Sequence, residues 1–291
     1  MKTLRELHKQ AREEKWAMPH FNFSTIDQLH SLIETAHSMR SPFVVGLSEG
    51  ERKAVGLRQA VALIRSFREQ GKCVFLNADH SHSKESAFEA IDAGFDSIHI
   101  DLSKEEYEKN KQDTQEVVEY ARARNSDIEV EGELGYLVTD SSKVYTDTIE
   151  IPEDSYTQPE QAKEYVEYTQ VDRFSPVFGN LHGIAANTPQ IRFDIIESIR
   201  KVVPEHVTLV VHGGSGITDV DFQHIVRSGF SNAHISTEIR LAYAQGLRKA
   251  LNEDPDEIAP YRFVKQAQKA LQDVARKKIL LFGSDNTIAQ E

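Results

Sequence analysis

The sequence predicts an α/β fold, a closed (β/α)8 TIM barrel formed as a single domain over residues 1–291. Three observations predict it. Eight short, β-rich apolar runs recur along the chain. Helix-period segments such as TIDQLHSLIETAHSM and DFQHIVRSGF separate most of them. No linker or low-complexity tract divides the 291 residues, a length that (β/α) architectures use as one unit. Strand–helix alternation of this kind implies parallel strands with crossover helices, and eight such units can close on themselves.

The chain opens on MKTLRELHKQAREE, a charged amphipathic helix pattern rather than a signal peptide. Strands are expected near 17–22, 43–47, 73–78, 96–101 and 128–133, then near 174–179, 207–212 and 232–237. The spacing is uneven between the fifth and sixth. There YLVTDSSKVYTDTIEIPEDSYTQ is polar and turn-rich, and reads as a long, mobile loop ahead of the helix PEQAKEYVEYT.

Composition narrows the function. Charged residues make up 27% and apolar residues 39%, which fits a soluble globular chain. A net charge of −12 argues against nucleic acid or an anionic membrane as partner. A phosphorylated ligand would need local cations or backbone amides to overcome that field. No apolar stretch approaches transmembrane length. The single cysteine, Cys73, excludes an internal disulfide, fits a cytoplasmic setting and reads as a small core residue.

The chemistry gathers behind the strands. Asp79 and His80 follow the third, Glu131 and Glu133 lie on the fifth, His182 follows the sixth and His212 the seventh. In a (β/α)8 barrel these C-terminal ends share one face, where active sites form. Three imidazoles and an open position make a catalytic zinc set. A lone histidine at a strand end is more often a satisfied polar residue. Three of them, His80, His182 and His212, favour a metal. His82 forms an HxH pair with His80 and is the weaker candidate. His20 and His99 read as core or supporting groups, and His8, His30, His37, His206 and His224 as surface. Asp79 suits proton transfer, or else only orients a histidine. Glu133 is a candidate conditional ligand, or else a buried hydrogen-bonded carboxylate. HGGSGI at 212–217 places Gly213, Gly214 and Ser215 in an anion nest, or a simple turn, after the seventh strand. HIST at 234–237 adds Ser236 and Thr237 at a helix start. Loops after strands seven and eight commonly hold phosphate in barrels.

These residues carry a resemblance. HFN at 20–22, LSEGE at 47–51, ADH at 78–80, HIDLS at 99–103 and VEGELG at 130–135 resemble motifs of the class II, zinc-dependent ketose-bisphosphate aldolases. So do GNLHG at 179–183, HGGSGI at 212–217 and KKILLFGS at 277–284, in the family's order. The resemblance implies a lyase of carbohydrate metabolism that reversibly cleaves a phosphorylated ketose, fructose- or tagatose-bisphosphate-like. The products would be dihydroxyacetone phosphate and an aldehyde. It implies Zn2+ on His80, His182 and His212 with Glu133 as alternate ligand, and Asp79 as the group that moves the hydroxyl proton. It implies that Gly183, Gly213, Ser215 and Thr237 hold phosphate, and that the chain forms a homodimer or homotetramer.

The text departs from the family at three places. His234 stands where an asparagine contacts substrate, the Lys-Gly after the second His-Gly is missing, and the loop after ExELG lacks its usual acidic motif. Glu150, Glu153 and Asp154 are stand-ins without a matching position. The alternatives are a divergent metal-dependent lyase or carbon–carbon bond-forming enzyme with a different sugar, a metal hydrolase, and a non-catalytic binding protein.

Overall fold

The computed structural model describes residues 2–188 and 190–289. Eight parallel strands close a barrel in sequence order. They are β1 (Met18–Asn22), β2 (Phe43–Leu47), β3 (Val74–Ser81), β4 (Ser97–Ile100), β5 (Glu129–Leu134), β6 (Arg173–Pro176), β7 (Thr208–Val211) and β8 (Phe230–Ile235). Helices α1 (Leu4–Glu14) and α2 (Ile26–Ser38) flank β1, and α3 (Glu49–Val55) and α4 (Leu57–Glu69) follow β2. The crossovers continue with α5 (Lys84–Ala93), α6 (Tyr107–Arg124), α7 (Pro159–Thr169), α8 (Phe193–Val202) and α9 (Asp219–Arg227). Finally α10 (Thr237–Glu253) and α11 (Pro260–Phe282) pack on each other, and α11 reaches back to α2. Among the described residues, no helix is long and apolar enough to cross a membrane.

Strand alternation divides the work. In β5, Val130 joins the apolar layer between strands and helices, and a side chain at Gly132 would strike the Tyr165 ring of α7. With a side-chain period of two, Glu129, Glu131 and Glu133 therefore share the inner face at successive depths. The barrel interior is correspondingly polar. Arg173 lies fully buried beside Glu129 and Glu131, at 3.7 and 3.3 Å. A buried guanidinium persists only when paired and hydrogen-bonded, and here Asn77 and Asn232 complete its shell. At the bottom, α1 is held by a Thr3–Glu6 capping box and buries Leu4, Leu7 and Ala11 against Trp16, Met18, Val44 and Phe75.

Three expectations are corrected. The sixth strand ends at Pro176, not 179, because the Val177 N–H donates to the Thr157 hydroxyl at 2.7 Å and leaves the ladder. His182 thus sits in a loop beyond the strand. The eighth strand is Phe230–Ile235, so Ser236 takes helical geometry and Thr237 opens α10. His8 is not at the surface: α1 turns it into the barrel floor, where its Nδ1 donates to Glu129 Oε2 at 2.7 Å.

Candidate active site

The C-terminal ends of the strands open into one cavity of about 310 Å³. It is lined by Asp79, His80, Glu133, His182, Gly183 and His212, and by Gly213, Gly214, Ser215, His234, Ser236 and Thr237. The residues singled out from sequence are therefore brought together. His82 is on the rim, with its side chain 57% exposed.

The strand end at Asp79-His80 is irregular. The β3–β4 register shifts between Ala78 and Ser81, and His80 adopts a left-handed φ of 46°. For a residue with a Cβ that conformation is uncommon. The bulge re-aims two neighbouring side chains, as bulges beside active sites do. His80 Nδ1 donates to Asp101 Oδ2 at 2.7 Å, and Asp101 is itself held by the Ser103 hydroxyl at 2.6 Å. That commits Nδ1 and leaves Nε2 open. His212 is the mirror case: Nε2 donates to Glu131 Oε1 at 2.7 Å, leaving Nδ1 open. The His182 loop is positioned by Asn180, whose Nδ2 donates to His212 O at 2.9 Å, and by the Thr139 hydroxyl on His182 O at 2.7 Å. The three rings meet with centroids 5.0 Å (His80–His182), 4.8 Å (His80–His212) and 6.1 Å (His182–His212) apart.

Electrostatics suit a cation. Burial pushes His182 down to about 3, with His80 adding to it, and burial with His99 and His80 takes His212 well below its ordinary value. Both present lone pairs at neutral pH. Burial alone would also lower His80, but Asp79 and Asp101 raise it. Burial, then Asp101, raises Glu133 to about 6. Asp79, His80, His99 and His212 bring ligand-type atoms within 4.8 Å of one another, as do His80, Asp101 and Glu133. His99 is the poorer ligand of these: Glu131, Asp79 and Glu133 overcome its burial and raise it well above the imidazole range. Carboxylate-backed imidazoles with one open nitrogen each are the donor set a divalent metal takes, and His80 and His212 fit one; His182 has no carboxylate contact among the described residues and joins them through its ring, 5.0 Å from that of His80.

Asp79 is buried, and its Oδ2 accepts from Asn22 Nδ2 at 2.9 Å. Burial opposes its charge, yet His80, His234 and His99 hold it well below the usual carboxylate range. Its Oδ1 has no hydrogen-bond partner among the described residues. Asn22 also donates to Glu51 Oε2 at 3.0 Å, and Glu51 pairs with Arg240 on α10. Asn22, Asp101 and Arg240 line the cavity and were missed. Asn22 and Asp101 end strands one and four, so the rule that selected the other strand-end groups would have found them. Arg240 had no such signal.

The opposite wall is rich in backbone amides and hydroxyls. Ser215 accepts from the Glu238 N–H at 3.3 Å, and Thr237 accepts from the Ser142 N–H at 3.1 Å. The long loop thus folds over this wall, and Ile184 N donates to Lys143 O at 3.0 Å. Of its acids only Asp140 lines the cavity, paired with Lys143 at 2.6 Å. Glu150, Glu153 and Asp154 do not line it. Gly213 has φ 60°, and a Cβ there would lie 2.4–2.9 Å from the Leu181 backbone. A Gly213→Ala chain should lose roughly 1–3 kcal/mol of stability and bind metal more weakly, because Leu181 must move and His182 with it. Thermal unfolding and metal titration check this.

His20 adds an acid sensitivity. Burial pushes it down from 6.5 to about 4, against the pull of Asp79. Between those values the unfolded chain binds a proton that the folded chain does not. Stability therefore rises with pH across the window and falls on acidification, by on the order of 3 kcal/mol for this group. Urea unfolding across the window should show a flatter pH dependence in His20→Gln.

A closed barrel carrying a carboxylate, a metal-suited histidine cluster and an amide-rich wall is the build of a lyase acting on a phosphorylated carbonyl compound. The chain belongs to the family described as fructose-bisphosphate aldolase class-II, matched over residues 2–287. It is 30% identical over 288 residues to a fructose-bisphosphate aldolase of Staphylococcus epidermidis, covering 98% of each chain. It is 30% identical over 292 residues to that of Geobacillus stearothermophilus, covering 99% of each. The crystal structure of the YdjI aldolase from Escherichia coli K12 superposes with a TM-score of 0.82 at 29% identity, over 98% of both chains. The protein is an aldolase of this class.

Proposed function

We propose that the protein reversibly cleaves a phosphorylated ketose, fructose- or tagatose-bisphosphate-like, to dihydroxyacetone phosphate and an aldehyde, using zinc. The observation that carries this reading is one cavity lined together by Asp79, by His80, His182 and His212, and by the Gly213-Gly214-Ser215 wall. His80, His182 and His212 would hold the ion, with Glu133 as an alternate ligand. Zinc there supplies Lewis acidity for the ketone oxygen and for the charge left when the carbon–carbon bond breaks. Asp79 takes the hydroxyl proton of the cleaved carbon and returns it in the aldol direction. Asn22 fixes the carboxylate through Oδ2 while Oδ1 works. The Gly213-Gly214 amides, Gly183, and the Ser215, Ser236 and Thr237 hydroxyls hold the phosphate. A homodimer or homotetramer in the cytoplasm is part of the same reading. His234 and the rewritten loop favour, as second reading, a lyase of the same chemistry with a different sugar.

The test is release of triose phosphate from fructose and tagatose bisphosphates, read by a coupled dehydrogenase. Release from either supports the proposal. Cleavage of a different phosphorylated sugar, with neither of these two accepted, supports the second reading. A hydrolysed ester without carbon–carbon cleavage contradicts both.

A further inference from the structure

The proposed chemistry leaves His8, Glu129 and Arg173, on the barrel floor, without a task. Arg173 is fully buried, and its Cα is level with that of Glu131 on the neighbouring strand β5. Its guanidinium lies between two carboxylates. Nη1 is 3.3 Å from Glu131 Oε2, and Nε is 3.7 Å from Glu129 Oε2. Those carboxylates are two residues apart on one face of β5, roughly 6.6 Å of rise. A cation between them offsets their repulsion and the cost of burying them. From below, His8 Nδ1 meets Glu129 Oε2 at 2.7 Å.

The guanidinium is itself held. Nη2 donates to Asn77 Oδ1 at 2.9 Å and Nη1 to Asn232 Oδ1 at 3.2 Å. Both amides are anchored in turn. Asn77 Oδ1 accepts from the Ser97 hydroxyl at 2.7 Å, and Asn232 Nδ2 donates to Met18 O at 3.0 Å. Arg173 on β6 is thereby braced against β3, β5 and β8. A planar guanidinium fork can span these partners, and a compact ammonium cannot.

The brace ends at the histidine cluster. Glu131 Oε1 accepts from His212 Nε2 at 2.7 Å, while Glu131 Oε2 has no hydrogen-bond partner among the described residues. That second oxygen relies on the Arg173 ion pair. The carboxylate is held at both oxygens, and the hold aims Oε1 at the His212 ring. We propose that Arg173 is a positioning residue for His212: it fixes the Glu131 carboxylate from the barrel floor, with Glu129 and His8 as its footing, and so sets the affinity and geometry of the metal site. This rests on the three-histidine metal site of the proposed function.

The test is metal affinity, read by competition of Zn2+ against a chromophoric chelator. The absorption bands of the Co2+-loaded chain report ligand geometry. Arg173→Met combined with Glu129→Gln removes one buried charge of each sign, which spares the fold an unpaired ion. The new amide oxygen still accepts from His8. This double variant should bind Zn2+ about tenfold more weakly, the low end of what a lost supporting partner costs, and Glu131→Gln about 10- to 100-fold more weakly. The Co2+ bands should shift in both. Arg173→Lys keeps the charge without the fork. Its affinity should fall between those of the parent and the double variant, and it judges the proposal if the double variant does not fold. Arg5→Gln removes a half-exposed cation of α1, paired with Asp172, and should stay within about twofold of the parent. A merely structural Arg173 would lower the melting temperature of its variants and leave their Zn2+ affinity and Co2+ bands as in the parent; that result overturns the proposal alone. A parent chain that takes up neither ion contradicts the metal site itself, and the proposal with it.

Discussion

An Asp79→Ala chain is expected to cleave its ketose roughly 10²- to 10⁴-fold more slowly than the parent, the range that a positioned proton-transfer group supplies. Three features single out Asp79. It is the carboxylate in the bulged C-terminal end of β3, beside His80 and lining the cavity. One oxygen is anchored by Asn22, and the other has no hydrogen-bond partner among the described residues. Its surroundings keep it ionised despite burial, because His80, His234 and His99 outweigh the cost of desolvation. The loss should fall on kcat, with KM and bound metal little changed, since the three histidines keep their own carboxylate partners or loop contacts. Asp79→Asn should be as slow, because it preserves shape and removes only the base. Steady-state kinetics with metal analysis of the same samples checks this. A merely orienting role would instead show as metal loss with a modest change in rate.

Removing the metal is expected to abolish cleavage, by roughly 10³-fold or more, since a Lewis acid contributes several kcal/mol to such a step. His182→Ala and His212→Ala should do the same without a chelator. Their depressed values mean that both rings stay neutral and available well below pH 7. Removing either leaves too few ligands for tight binding. His82→Ala should retain metal and rate, because its exposed ring hangs at the rim and only shares Asp101, at 3.7 Å. Chelation followed by zinc return, with rate and metal read together, distinguishes a catalytic ion from a structural one. Recovery of rate in step with bound zinc is the expected outcome.

The barrel was legible because its signal is periodic. Strands buried on both faces must be apolar runs, and crossover helices must be amphipathic, so Phe43–Leu47 and Ile26–Ser38 announce themselves. The site was legible where polar residues interrupt such runs, as at Asp79-His80 and His212. It was less so where contacts depend on depth or on loops. Nothing local says that His8 faces inward, because its carboxylate partner Glu129 is far along the chain. Nothing marks Arg173 as the floor of the interior, since Asp-Arg before an apolar residue reads as an ordinary strand start. His182 looked like a strand end because FSPVFG is apolar, yet Thr157 draws the Val177 N–H out of the ladder. Arg240 reaches the cavity only because α10 begins beside Glu51 and the loop at Ser142. His80, His182 and His212, which the motifs single out, line one cavity, whereas Asn232, which joins Arg173 to His234, is named by no motif.

The most direct test of the account is carbon-13 NMR of fructose and tagatose bisphosphates incubated with zinc-loaded protein. The account predicts new triose-phosphate resonances from at least one of them, lost in Asp79→Ala and lost and regained with zinc. A fully zinc-loaded parent chain that leaves every carbon–carbon bond of both sugars intact would contradict it.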